Sequence, residues 1–245
     1  MPFLKPRKVS VADTKFEKCK RNGWRKSIFS ASWPLKSCYI GDWKNDKKDG
    51  KGFQLSGTKW LYKGDWWNGY RHGYGMLGKV LESKEIWKCY IGDWVKGKKQ
   101  GFGGSWYIDG SYYEGNFWQN NRHGFGRMWY GNGDFYQGMW KMDLHHGDGM
   151  LVKANGNRYE GYFFHGKKQG RGIYYHINTG QMQEGCWDND VCVVGTMEDL
   201  YWRQSAHHST FYPIPEVRTS FFWILSQAIM ITVKQLLIII FRTSF

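Results

Sequence analysis

One short pattern returns along most of this chain and constrains the fold more than any other feature. Each copy has a tyrosine, a glycine two residues later and a tryptophan or phenylalanine two residues after that. A short polar turn and a pair of glycines two apart then follow. The repeat tyrosines are spaced by 23, 28, 23, 23 and 23 residues, and a weaker copy begins at Gln183. Self-similarity at a nearly fixed period predicts an array of small supersecondary units.

Each copy reads as two β-strands. Tyr39, Gly41 and Trp43 are two residues apart, so on a strand they share one face, while the intervening positions are mostly polar. This alternation is typical of a half-buried strand. The second strand opens with glycines two apart, Gly50 and Gly52 in the first copy, and we expect a large ring from a neighbouring strand to fill the slot that they leave.

The connections between copies predict tight turns. The extra residues near 79–85 indicate one longer loop, and three other connections carry turn dipeptides that favour hairpins: Asp109-Gly110, Asn132-Gly133 and Asn155-Gly156. A lone hairpin is marginal in water, so neighbouring hairpins must stabilise one another. We therefore predict an all-β fold, an elongated single antiparallel sheet of stacked β-hairpins.

The segments outside the repeats are of three kinds. Residues 1–37 form a basic arm with a half-repeat, Arg21–Trp24 and Ser27–Phe29, for which an end cap is one interpretation. The repeats span 38–205, with the degenerate seventh copy at 183–205. A proline-marked linker, 206–220, precedes a hydrophobic tail, 221–245.

The tail leaves three interpretations open. Its apolar run over 221–241 is long enough to cross a bilayer as a helix, but Lys234 and two glutamines weaken that interpretation. A helix packed on a partner and an alternative terminus without a stable fold are the other two. The abrupt end of the repeat pattern favours the alternative terminus.

Charge and cysteine content narrow the possible partners and the compartment. The formal net charge of +14 favours an anionic partner or surface. The five cysteines form no C-x-x-C pair, which argues against a disulfide framework or a zinc site. A reducing, cytoplasmic setting is expected.

No pattern in the chain indicates catalysis or a cofactor. The paired glycines are not followed by helical periodicity, so they do not predict a phosphate-binding loop. His72, His123 and His146 share one repeat position, but equivalent residues two strands apart lie roughly 10 Å from one another, too far for one metal ion to bridge. We predict no enzyme, no cofactor and no metal site.

Basic residues recur in the turn of five copies and predict an anionic contact, with acidic protein or anionic lipid as candidates. A solvated turn that discourages edge pairing is the simpler interpretation of any one pair, and nucleic acid is less favoured. The predicted anionic-contact residues are Lys47, Lys48, Arg71, Lys98, Lys99, Arg122, Lys167 and Lys168.

The aromatic face predicts both a core and a partner groove. A one-layer sheet has no second layer, so we expect most of each ring to pack on its neighbours and the remainder to form an apolar groove. The predicted groove residues are Tyr39, Trp43, Tyr62, Trp66, Tyr90, Trp94, Tyr113, Phe117, Tyr136, Trp140, Tyr159, Phe163 and Trp187.

The repeated pattern, Y-x-G-x-W-x-x-G-x-x-x-G-x-G, resembles the MORN (membrane occupation and recognition nexus) repeat family. Phe117 and Phe163 depart from it in the tryptophan position, and Gln183 departs in the tyrosine position. The resemblance implies a non-enzymatic scaffold that tethers regulatory proteins in male germ cells, in spermatogenesis, at the acrosome or another secretory vesicle, or at the axoneme. A peripheral or tail-anchored membrane tether is the alternative, and association of two rods through an open end of the sheet is also left open.

Overall fold

The structure, a computed structural model, describes residues 20–28, 37–83 and 85–200. The hydrophobic tail, the linker and most of the N-terminal arm lie outside these residues. The described chain forms fifteen β-strands: β1 Gly23–Ile28, β2 Cys38–Lys44, β3 Lys47–Leu55, β4 Trp60–Trp67, β5 Tyr70–Val80, β6 Ile86–Val95, β7 Lys98–Trp106, β8 Tyr112–Trp118, β9 Asn121–Trp129, β10 Phe135–Lys141, β11 Leu144–Val152, β12 Arg158–Phe164, β13 Lys167–His176, β14 Gln181–Asp188 and β15 Val191–Asp199.

The strands follow one another in a single antiparallel sheet in the order of the sequence. The predicted fold class, an all-β sheet of successive hairpins, is confirmed. β1 pairs with β2 from Gly23 opposite Trp43 to Ile28 opposite Cys38. The longer connection differs in part from its prediction, because β5 continues to Val80 and β6 begins at Ile86. Some of the extra residues therefore lengthen strands, and the loop includes residues 81–83 and 85.

The turn inside each hairpin has two residues, and both have positive φ. In the first hairpin these are Asn45 at 49° and Asp46 at 63°. This geometry is the type I′ turn, whose twist matches that of the flanking strands. Lys44 therefore pairs with Lys47, and Trp43 pairs with Lys48. The other six turns are Asn68-Gly69, Lys96-Gly97, Gln119-Asn120, Met142-Asp143, His165-Gly166 and Asn189-Asp190.

The connections between hairpins confirm the predicted turn dipeptides. Gly110, Gly133 and Gly156 have φ between 83° and 89°. Their backbone N–H groups donate to the carbonyl groups of the residues three positions earlier, at 3.2, 3.0 and 2.8 Å. Glycine reaches this left-handed region without steric cost, which explains its place after aspartate or asparagine.

A β-bulge lies beside the turn in six hairpins, β2–β3, β4–β5, β8–β9, β10–β11, β12–β13 and β14–β15, and it explains the repeat tyrosine. In the first hairpin Gly41 pairs with Gly52 and Trp43 with Lys48, so Asp42 lies opposite three residues of β3. The Tyr39 hydroxyl donates a hydrogen bond at 3.0 Å to the backbone carbonyl of Asp42, the residue that the bulge leaves without a paired residue in β3. The other five repeat tyrosines make the same bond to the carbonyl three residues later. Burial raises the pKa of Tyr159 to about 12, which keeps its hydroxyl a donor.

The two glycines of each pair have different roles, which corrects the prediction that they share one slot. The second glycine accommodates the tyrosine ring of its own hairpin: a Cβ on Gly52 would meet Tyr39 Cζ at 2.5 Å. The first, Gly50, instead has φ of 99° and belongs to the bulge. The ring that fills the slot belongs to β2, the neighbouring strand of the same hairpin.

The contacts divide the chain into two compact units. The first comprises residues up to Trp87 together with Trp94–Gly97, and the second comprises Lys88–Asp93 and the residues from Lys98 onward. Each unit has one face that carries the repeat tyrosines, glycines and tryptophans, named here the ring face. The opposite face of the second unit holds a cluster of Tyr112, Trp129, Phe135 and Val152.

Candidate functional site

The predicted groove residues are the core of the ring face. All thirteen are at most 6 % exposed. In the first unit Tyr39 meets Trp43 of its own hairpin at 5.1 Å and Trp66 of the next hairpin at 5.4 Å, both edge to face. This is the preferred geometry of aromatic pairs. Because the rings present so little surface, their main role is to join one hairpin to the next, and direct partner contact by them stays a prediction.

The second unit repeats this arrangement over more hairpins. Tyr136 meets Trp140 at 5.1 Å and Phe163 at 5.3 Å, and Tyr159 meets Phe163 at 5.1 Å and Trp187 at 5.2 Å. Phenylalanine thus replaces tryptophan without changing the contact. Two indole N–H groups also bond to the preceding hairpin: Trp140 donates to the Gly126 carbonyl at 3.4 Å and Trp187 to the Gly172 carbonyl at 3.2 Å.

The predicted basic residues form two groups with different surroundings. Five are half-buried on the ring face and are named here the inner cations: Lys48, Arg71, Lys99, Arg122 and Lys168. Three are exposed in the position just before them and are named the outer lysines: Lys47, Lys98 and Lys167. Within each unit the basic residues that the sequence places on one edge therefore divide into inner cations and outer lysines.

Each inner cation lies over aromatic rings. Lys48 Nζ is 4.5 Å from the centre of the Trp66 ring, and Arg122 Cζ is 4.3 Å from that of Trp140. Lys168 Nζ lies between three rings, those of Tyr159, Tyr174 and Trp187, at 5.3, 4.7 and 4.9 Å. The negative faces of the rings attract these cations.

Burial on the ring face makes the inner lysines weaker bases. Desolvation, together with the nearby cations Arg71 and Arg21, lowers the pKa of Lys48 to about 8. Desolvation also lowers the pKa of Lys99 to about 8, although Cys89 and Asp143 oppose the shift. Both side chains are mostly charged at neutral pH and lose their charge near the top of the physiological range.

His145 occupies the inner-cation position of its hairpin, and sequence reasoning missed it. It pairs with Trp140 just as Lys48 pairs with Trp43. Its ring stacks on Tyr136 at 3.6 Å, and its Nε2 is hydrogen-bonded to the Tyr130 hydroxyl at 2.9 Å. A neutral ring thus replaces a cation here. Counting two residues back from the glycine pair in every copy would have found it.

A cavity of about 420 Å³ lies beside this histidine. Its lining includes Tyr130, Lys153 and Lys168 together with the two carboxylates Asp134 and Asp190. Lys153 Nζ forms an ion pair with the Asp134 carboxylate at 2.8 Å. The backbone N–H of Lys168 donates a hydrogen bond to the Asp190 carboxylate at 2.9 Å. The carboxylates are thus already bonded within the protein.

The half-buried imidazole of His145 predicts acid sensitivity. Desolvation, with Arg122 and Lys153, lowers the pKa of His145 to about 3. Since the unfolded chain binds this proton near pH 6.5 and the folded chain does not, stability is complete above pH 6.5 and falls as the pH drops towards 3. Urea unfolding between pH 6 and 4 should therefore show a slope about 1.4 kcal/mol per pH unit steeper for the wild type than for His145→Phe.

One control variant makes this prediction specific to the half-buried ring of His145. His165→Phe removes an exposed imidazole and controls for the loss of a histidine as such. Parallel slopes for the wild type and His145→Phe would contradict the prediction.

The opposite face of the second unit exposes several large apolar side chains that sequence reasoning did not single out. They follow the repeat tryptophan, lie between the paired glycines, or precede the tryptophan. They are Phe102, Trp118, Phe125, Met139, Tyr162 and Phe164, each between 39 and 48 % exposed. Phe125 and Met139 are directly opposite one another in β9 and β10. The sequence did contain a signal for these side chains, because the copies differ from one another at these positions.

Two features are absent from residues 20–28, 37–83 and 85–200, the part of the chain that the structure describes. Within these ranges the structure has no cluster of three or more histidine, cysteine or carboxylate side chains suited to a metal ion. Within the same ranges it has no helix that is long and apolar enough to span a membrane. His146, one of the three histidines in repeat register, lies 5.4 Å from the Phe164 ring.

Comparisons with known proteins concern the same repeats. The family model described as MORN repeat matches residues 39–57, 62–77, 90–112, 113–135, 136–158 and 159–180. MORN repeat-containing protein 3 of Xenopus laevis is 45 % identical over 225 residues, which cover 90 % of this chain and 92 % of that protein. MORN repeat-containing protein 3 of Bos taurus is 45 % identical over 51 residues, 21 % of each chain.

Proposed function

This chain belongs to the MORN repeat family, and we propose that it is a non-enzymatic scaffold that holds partner proteins on its repeated hairpins. The observation that carries the proposal is the recurrence of surface side chains at equivalent positions of successive hairpins. Inner cations and outer lysines recur at the start of the strand that follows the turn, and exposed apolar side chains recur on the opposite face. Within each unit such a surface offers one contact at successive hairpins, as repeat proteins do when they bind partners.

The buried rings and the inner cations contribute differently to this function. The rings fix the distance between hairpins, and the inner cations above them supply the charged contact groups. We place the activity in male germ cells, at an acrosomal or other vesicle or at the axoneme, and assign it the tethering of regulatory proteins into one complex. These settings are what the family resemblance implies.

Co-purification from testis with the full-length chain tests the scaffold. We expect one set of proteins to be recovered whichever end carries the affinity tag. Recovery should fall severalfold when Lys99 and Lys168 are both replaced by glutamine. The matched control replaces the outer lysines Lys98 and Lys167 by glutamine and should leave recovery unchanged. Failure to recover any protein reproducibly above an unrelated bait would contradict the proposal.

Attachment to an anionic membrane surface is a second candidate, favoured by the exposure of the outer lysines. Each such lysine near an anionic surface contributes about 1 kcal/mol. Sedimentation of the full-length chain with vesicles containing phosphatidylserine tests it. Binding that is lost when Lys47, Lys98 and Lys167 become glutamate would support this candidate, and no binding by the wild type would exclude it.

A further inference from the structure

The cavity beside His145 lies within the second unit and on its ring face. Its lining includes Leu151, which pairs with both Tyr136 and Tyr159 and therefore shares the face of these rings. Other lining residues lie in the turns and in the connections between hairpins. The volume of about 420 Å³ is within the range of ligand pockets. The cavity is thus a recess in the ring face that is large enough for a side chain of a partner.

The short side chain at the inner-cation position of this hairpin explains the recess. In the preceding hairpin Arg122 extends over Trp140 of the next one, with Cζ 4.3 Å from the ring centre. His145 instead stacks on Tyr136 of its own hairpin at 3.6 Å. Its pKa of about 3 keeps the imidazole neutral. A long cation is therefore missing from this step, and the recess lies beside the ring that replaces it.

Lys168 supplies the recess with a half-buried cation. Its Nζ lies 4.7 to 5.3 Å from the centres of three aromatic rings. Within the part of the chain that the structure describes, this ammonium makes no hydrogen bond and no ion pair. Desolvation lowers the pKa of Lys168, and Asp190 and Lys153 act on it in opposite directions. The rings attract the charge, and an oxygen anion in the recess would restore the hydrogen bonds that burial removes.

The two carboxylates of the recess already accept hydrogen bonds within the protein. Asp134 Oδ1 accepts the backbone N–H of Ala154 at 2.9 Å, and its Oδ2 pairs with Lys153 Nζ at 2.8 Å. Asp190 Oδ1 accepts the backbone N–H of Lys168 at 2.9 Å. The ammonium of Lys168 is therefore the charge in the recess that an external carboxylate matches.

We propose that the recess binds one glutamate or aspartate side chain of a partner protein, which pairs with the Lys168 ammonium. The proposal rests on the scaffold function and names the contact chemistry of one of its sites. One ammonium matches one carboxylate, whereas a phosphate dianion would leave charge unmatched in a partly desolvated place. A protein fits better than a lipid surface because a single side chain enters a recess that a flat membrane surface spans.

Binding of synthetic peptides to the full-length chain tests the ligand chemistry. Three short peptides with blocked ends differ only in their central residue, which is glutamate, glutamine or phosphoserine. NMR signals of the recess residues detect binding even when it is weak. We expect the glutamate peptide to bind at least about tenfold more tightly than the glutamine peptide, because only the carboxylate forms a charge-assisted hydrogen bond. Equal affinities of these two peptides, absence of binding, or tighter binding of the phosphoserine peptide would overturn the proposal.

Substitutions at one position test the residue. Lys168→Met keeps an unbranched apolar side chain on the rings but removes the charge, and it should weaken binding of the glutamate peptide about tenfold. Lys168→Arg restores the charge and should retain most of the affinity. The matched control is the neighbouring outer lysine, since Lys167→Gln should leave the affinity unchanged. Urea unfolding confirms that each variant is folded.

Three results of these substitutions would overturn the proposal. The first is an unchanged affinity of Lys168→Met for the glutamate peptide, and the second is an equal loss for Lys167→Gln. The third is binding to phosphatidylserine vesicles that depends on Lys168 when the glutamate peptide does not bind.

The outcome separates this proposal from the scaffold function itself. If no glutamate peptide binds but the full-length chain still recovers its proteins from testis, the contact chemistry is wrong and the scaffold function stands. If the chain recovers no protein, the scaffold function fails whatever the peptides do.

Discussion

Replacement of Trp140 by alanine is expected to lower the free energy of unfolding by about 4 kcal/mol. The indole is 3 % exposed and meets Tyr113 of the preceding hairpin at 5.4 Å and Tyr136 of its own at 5.1 Å. Its loss opens a cavity between two hairpins and leaves the Arg122 guanidinium without the ring 4.3 Å beneath it. Urea or thermal unfolding of the full-length chain measures the effect.

Trp118 provides the matched control for this substitution. It lies on the opposite face of the same unit and is 48 % exposed. Trp118→Ala should change the free energy of unfolding by no more than about 0.5 kcal/mol. Equal losses for the two tryptophans would mean that the ring face is not the core of the sheet.

Gly172→Ala is expected to destabilise the protein by about 3 kcal/mol. A Cβ at this position would lie 2.6 Å from two carbons of the Tyr159 ring. That ring is 1 % exposed and is held by Phe163 and Trp187 on its two sides, so it cannot move away. The substitution therefore displaces the ring that joins two hairpins. The same unfolding measurement tests it.

The other glycine of the pair gives the comparison. Gly170 has φ of 68°, and a Cβ there would meet nothing within 4 Å. Gly170→Ala should cost only about 1 kcal/mol, from backbone strain alone. A loss at Gly170 as large as that at Gly172 would contradict the different roles that the structure gives the two glycines.

The repeat period was enough to predict the sheet because each copy carries its own strand, turn and glycine signals. The alternation in Tyr39, Gly41 and Trp43 placed the rings on one face, and the structure confirms that face as the core. The bulge was not predictable from that alternation. It depends on the Tyr39 hydroxyl reaching the Asp42 carbonyl, which is a contact in space rather than a pattern in sequence.

The division of the basic residues into inner cations and outer lysines was missed because the length of the turn was left undefined. A two-residue turn places Lys48 directly opposite Trp43 and Lys47 opposite Lys44. Side chains on paired residues lie on the same face, so Lys48 must share the face of the ring and Lys47 must not. The same count assigns His145 to the inner position. Positive φ at residues such as Met142 and Gln119 gave no clear sequence signal.

The seventh hairpin lacks the tyrosine on which a further hairpin would pack. A hairpin receives its successor through its tyrosine, as Tyr159 receives Trp187. The hairpin of β14 and β15 has Gln183 in that position, and its register shift is smaller, with Cys186 opposite Val194 and Trp187 opposite Cys192. If an internal 23-residue unit were duplicated next to itself, the new hairpin would make the tyrosine contact with the hairpin before it and with the hairpin after it. The same unit inserted after β15 would meet a glutamine instead of a ring. A hairpin added after β15 would therefore lack the aromatic contact that joins the internal hairpins to one another.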